Sequence, residues 1–208
     1  MKRIVMLAPA ALVAALITTS AQAAFVLNFD GPLAGQPGIG GTPPYAQLTI
    51  SSAGADTVHF NLQHFTDPGG VDPTRFISEL ELNMNPFVSG LTMSNASMAI
   101  GFSASENGFN DASHRFDLQF SFPTANGSRL EQGDTASWDL TAPGLNEFLF
   151  IATATRPNGD ATNVYGLLHM QSIGPNGANS TKLAAVPEPA SLTALGMFGL
   201  ALLRRRRR

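Results

Sequence analysis

The chain has 208 residues, no cysteine, one tryptophan and a formal net charge of −3. The lack of cysteine excludes a disulfide framework, a thiol nucleophile and thiolate-ligated zinc. A charged fraction of 13 % beside 44 % hydrophobic residues excludes a disordered polyelectrolyte, and no basic stripe fit for nucleic acid runs through the body of the chain.

The N-terminus carries an export pattern. Lys2 and Arg3 form a positive n-region, residues 4–17 are apolar apart from a break at Pro9, and Ala21, Gln22 and Ala23 make a small-residue cleavage site. Residues 1–23 are therefore expected to be a signal-peptide helix removed by signal peptidase, with Ala24 as the first mature residue.

Period-two alternation dominates the chain beyond Ala24. Val58, Phe60 and Leu62 alternate with polar partners, as do Phe116, Leu118, Phe120 and Phe122. Strands are predicted at 25–29, 45–51, 58–62, 76–82, 97–103, 116–122, 135–141, 148–153 and 164–172, separated by Gly, Pro, Asn and Asp clusters. Residues 31–41 read as a loop or partly ordered crossover, and Asn126-Gly127 and Pro157-Asn158-Gly159-Asp160 as hairpin turns. The predicted fold is all-β: an antiparallel β-sandwich, jelly-roll or Ig-like, spanning 24–182. A linker opens at 183, so that 183–208 holds linker and tail.

The tail has three parts in order: Val186-Pro187-Glu188-Pro189-Ala190-Ser191, an apolar stretch over 192–203, and the arginines Arg204, Arg205, Arg206, Arg207 and Arg208. The prolines favour an extended, accessible motif. The apolar stretch is a short transmembrane helix, roughly 18 Å long at about 1.5 Å per residue, that crosses the ~30 Å hydrocarbon core only with arginine snorkelling and local thinning. The arginines set orientation, because positive charge flanking a membrane segment stays cytoplasmic. Lys2, Arg3 and the terminal arginines contribute seven positive charges and Glu188 one negative, which leaves residues 24–185 at −9.

This order of motif, Gly-containing apolar helix and arginine cluster resembles the PEP-CTERM sorting signal of exported bacterial proteins. The resemblance covers residues 186–208. It implies recognition by an exosortase at Pro187, Glu188 and Pro189, removal of the hydrophobic tail, and a Gram-negative host that makes exopolysaccharide. The strings 116–123 and 169–174 are also similar to stretches in other uncharacterised PEP-CTERM ectodomains, which implies only a shared β fold, since that group has no assigned activity to carry over.

Motifs for chemistry are sparse. The chain has no Gly-x-Ser-x-Gly elbow, zinc helix or P-loop. Of the four histidines, His64 lies on the apolar parity and reads as a hydrogen-bonded core-edge residue, while His114 and His169 await an acidic partner in space. Glu79 and Glu81 are close enough to suggest a carboxylate pair, but read as the solvated face of a half-buried strand. No cofactor is expected; Ca2+ is the one candidate ion, because the loops 67–72 and 107–111 offer hard oxygen ligands without EF-hand order. Trp138 shares parity with Leu140 and reads as core, which weighs against a ring-lined sugar face. The expected role is structural or adhesive and non-enzymatic, exercised at the cell surface or in the extracellular matrix after transient residence in the inner membrane. Signal peptidase and exosortase are the processing partners, and nucleic acid is not one. The alternative is a carbohydrate-binding module for exopolysaccharide.

Overall fold

Backbone pairing turns the alternating segments into one antiparallel sheet. A computed structural model describes residues 24–67, 72 and 74–187. Its strands are β1 (Ala24–Pro32), β2 (Ala46–Gly54), β3 (Thr57–His64), β4 (Phe76–Leu82), β5 (Thr92–Ser94), β6 (Gly101–Asp111), β7 (His114–Ser121), β8 (Leu130–Glu131), β9 (Thr135–Thr141), β10 (Gly166–Ile173) and β11 (Asn179–Pro187). They lie in the order β5-β9-β3-β2-β1-β11-β10-β4-β7-β6, with β8 beside β4. The all-β, antiparallel class is as the alternation predicts. The strands form a continuous antiparallel sheet nearly closed into a barrel.

Aromatic packing draws the two ends of this order together. Phe60 on β3 stacks parallel to Trp138 on β9 at 5.4 Å between ring centroids. Phe120, from β7 near the other end of the order, packs on both Phe60 (5.9 Å) and Trp138 (4.8 Å). Trp138 is fully buried, in keeping with the parity it shares with Leu140. Ring pairs of this kind add about 0.5–1.5 kcal/mol each beyond the area they bury.

At the end of the sheet where β3 finishes and β4 begins, a buried polar knot ties down the proline-rich segment after β1. Arg75, 1 % exposed, donates from Nη1 to Gly40 O (3.1 Å) and Asp67 Oδ2 (3.4 Å), and its guanidinium lies over the Tyr45 ring at 5.4 Å. Asp72 accepts from Gly174 N (2.6 Å) and Gly40 N (3.3 Å). Gly41 has a φ of +99°, and a Cβ there would collide with the Asp67 carboxylate, so the close approach requires glycine. The segment expected to be a partly ordered crossover is thus anchored by charge.

Several predicted elements are corrected, among them the strand at 97–103, which begins only at Gly101 and runs on to Asp111 as β6. Residues 148–153 form no strand. A 3₁₀ turn occupies Glu147–Phe150, with the Asn146 side chain accepting from Phe148 N at its start. The apolar run there is consecutive rather than alternating. Phe150 enters the core edge-on to Phe60 at 5.0 Å, Leu149 and Ile151 pack partly against it, and Phe148 stays 48 % exposed. Nor is 183–187 a linker. It is the second half of β11, paired with β1 throughout and with β10 at Leu183 and Ala184, with Leu183 and Ala185 fully buried. Alternation continues through Thr181, Leu183, Ala185 and Pro187, but small alanines and nearby prolines mute its hydrophobic signal. The Asn126-Gly127 turn leads from β7 into β8, and both strands pair with β4 rather than with each other. At 157–160 the chain does reverse, between bridged residues Thr155 and Ala161.

Replacing Leu183 by Ala should destabilise the protein by about 2–5 kcal/mol, the usual cost of truncating a closed core. A urea midpoint unchanged by Leu183→Ala would restore the linker assignment.

Candidate functional site

Among the described residues a cleft opens at the end of the sheet where β4 finishes and β10 begins. Register fixes this position: Leu82 pairs with Gly166, Leu167 with Ala184, and Pro187 with Leu27. The cleft therefore shares an end with the first and last described residues, Ala24 and Pro187.

Three segments build it. The chain leaving β4 supplies Asn83, Asn85 and Phe87. The β6–β7 ladder is interrupted between Ala104 and Phe109, and the bulge swings Glu106 and Asn107 to the second wall. Asn107 adopts a left-handed φ of 50°, which asparagine tolerates better than most residues. The third wall is the irregular stretch before β10, with Thr153, Thr155 and Tyr165. A small satellite core of Phe116, Ala154, Val164 and Leu167 holds that stretch against the sheet.

Asp117 joins these walls. Its buried carboxylate accepts from Met84 N through Oδ2 (2.9 Å) and from Asn107 N through Oδ1 (2.7 Å), and Thr155 Oγ1 donates to Asn107 Oδ1 (3.0 Å). The resulting cleft of about 520 Å³ carries amides, hydroxyls, the Glu106 carboxylate and the rings of Phe87 and Tyr165. It is suited to hydrogen-bonding a neutral, hydroxyl-rich ligand and stacking on its apolar face.

The histidines fall into different environments. His59 contacts Asp139 Oδ1 at 2.6 Å on the outer surface. His114 Nδ1 lies 2.7 Å from Ala112 O, and His169 stands opposite Glu79 across the β10–β4 ladder. His64 is fully buried, with Nδ1 3.1 Å from Leu130 O, as its parity predicts. Burial lowers the His64 pKa to about 4, aided by nearby Arg75 and opposed by the Leu130 carbonyl and the Asp134 charge.

The two loops proposed for calcium are not equivalent. The oxygens of Asp67 and Asp72 are engaged by Arg75 and by backbone amides, and Asn107 serves the cleft. Asp111 instead approaches Glu79 and Glu81, a grouping that spacing along the chain does not reveal. The reading of Glu79 and Glu81 as a solvated face is overturned: Glu81 is only 2 % exposed and Glu79 is half-buried. Burial first, and then repulsion from Glu79, pushes the Glu81 carboxyl up to about 7.

Among the sorting and processing residues, Ala24 opens β1, and Val186 and Pro187 close β11. Ala21, Ala23, Glu188, Pro189 and Arg204 to Arg208, with the predicted signal-peptide and membrane helices, lie outside the described residues. Among the described residues no helix is long and apolar enough to cross a membrane.

Two outcomes are expected. Because the folded pKa of His64 lies below its unfolded value of 6.5, its contribution to stability is whole above about pH 6.5 and is lost as pH falls toward 4, a swing of roughly 3 kcal/mol. His64→Gln should remove that limb from the denaturation free energy measured against pH, and an unaltered acid limb would refute the assignment. Asp117→Ala should cost about 2 kcal/mol or more by orphaning two amides, and should speed hydrogen exchange at Met84 and Asn107. Unchanged exchange there would mean that Asp117 does not hold the cleft. Compared with known proteins, the chain matches no family model, no curated protein and no solved structure.

Proposed function

We propose that this chain is an exported bacterial protein of the cell surface or extracellular matrix, sorted through its C-terminal signal by an exosortase. Residues 24–187 then act without catalysis, as an adhesive domain that holds polysaccharide in the cleft. The nearly closed sheet serves as a sandwich-like carrier, of jelly-roll or Ig-like kind, whose end loops do the binding.

The observation that carries the binding role is the cleft itself. Amide and hydroxyl groups from three separate segments converge beside two rings, and among the described residues neither lysine nor arginine lines the cleft. That donor set favours neutral sugar hydroxyls over phosphate or nucleic acid. The two carboxylates at the cleft do not form an acid–base pair, because both Asp117 oxygens are taken by backbone amides. The stacking rings are Phe87 and Tyr165, since Trp138 is sealed in the core. The export pattern at 1–23 and the three-part sequence of the tail at 186–208 support the delivery route.

Retention of the detergent-solubilised full chain on immobilised neutral exopolysaccharide tests the binding role. Tyr165→Ala combined with Asn85→Ala should weaken retention by about tenfold or more, the equivalent of about 1.4 kcal/mol, whereas Asp160→Asn should not. Retention unaffected by the double substitution would move the site elsewhere; no retention on any polysaccharide would leave a purely structural domain. For delivery, epitope tags placed after Ala24 and after Arg208 should separate in the native host. Recovery of both tags on one surface-exposed chain would defeat the sorting reading.

A further inference from the structure

Glu79 and Glu81 project from β4 on the side away from the aromatic core, and Asp111 meets them from the end of β6. One carboxylate oxygen of each lies within 4.8 Å of the other two. Oxygens bound to one calcium ion at about 2.3–2.6 Å can be no more than about 5 Å apart, so these three fit around a single ion.

An independent observation points to something binding there. Glu81 is 2 % exposed, and although its Oε1 accepts from Gln119 Nε2 at 3.4 Å, its Oε2 has no hydrogen-bond partner among the described residues. A buried carboxylate with an orphaned oxygen is costly unless an ion completes it. Charge agrees with geometry. Lys182 Nζ bonds to Asp111 Oδ1 and cancels one of the three negative charges. With Glu81 ionised, as a bound cation would hold it, two remain, the charge that one divalent cation balances.

We infer that Glu79, Glu81 and Asp111 form a site for a hard divalent cation of the calcium type, which pins the end of the β6–β7 hairpin to the outer face of β4. An all-carboxylate donor set selects such an ion over softer metals. His169, opposite Glu79 on β10, and Lys182 on β11 border the site along the same row of the sheet. The cation site stands apart from the polysaccharide cleft, whose lining includes none of the three carboxylates.

The test uses the full chain in detergent, stripped with EDTA and titrated with calcium chloride. One ion per chain should bind by calorimetry, and millimolar calcium should raise the melting midpoint by about 3 °C or more. Glu81→Gln and Asp111→Asn should abolish both effects, and Glu81→Gln should melt above the unsubstituted chain in EDTA because it removes a buried charge. Asp160→Asn should retain both effects. The cation site is overturned if the unsubstituted chain neither binds nor shifts, or if both site variants bind and shift as it does. Should Glu81→Gln fail to fold, Asp111→Asn at the hairpin end decides the matter alone.

Discussion

Contact between Phe120 and the Phe60–Trp138 stack is the constraint on which the rest of the molecule depends. A long antiparallel sheet with one apolar face has to bury that face, and here it does so by curling until strands from opposite ends of the order share a ring cluster. Phe150 completes the cluster edge-on, which explains why a short 3₁₀ turn replaces a strand at that point. Curling also sends the loops to the two ends of the sheet. The cleft and the Arg75 knot are consequences of where the curl leaves room.

The two ends solve different problems with buried polarity. Around Arg75, carboxylates, a guanidinium and backbone amides hold one another and fasten a glycine-rich segment that has little apolar surface of its own. Removing one member of such a group is costlier than its net contribution suggests, because the partners stay buried. Asp117 does similar work at the cleft, where it replaces ladder hydrogen bonds lost to the β6 bulge. Both arrangements make loops rigid, and rigidity favours binding because less is lost when a ligand orders the site.

Much of the fold was legible because strand parity is a local signal. Val58, Phe60 and Leu62, or Phe116 to Phe122, declare their buried face within a few residues, and the core parity of His64 and Trp138 obeys the same rule. β11 was missed because alanine carries little hydrophobic contrast and because Pro187 reads as the start of a motif rather than the end of a ladder. The cleft and the carboxylate group were illegible for another reason. Asn83, Asn107 and Thr155, or Glu81 and Asp111, are joined only by the path of the sheet, and no spacing along the chain encodes that path. The solvated reading of Glu81 failed because the hairpin end that covers it lies about thirty residues further along the chain.

Pairing of Leu27 with Pro187 sets the chain's arrival and departure side by side, at the end of the sheet that carries the cleft. A tether at either terminus would therefore act like a hand closed around the handle nearest the mouth. It would hold the cleft toward whatever surface bears the tether and leave the Arg75 end facing outward. Cutting the chain beyond Pro187 would free that mouth without loosening a strand, since β11 is already zipped to its last described residue. Release would change what the cleft can reach while leaving its shape intact.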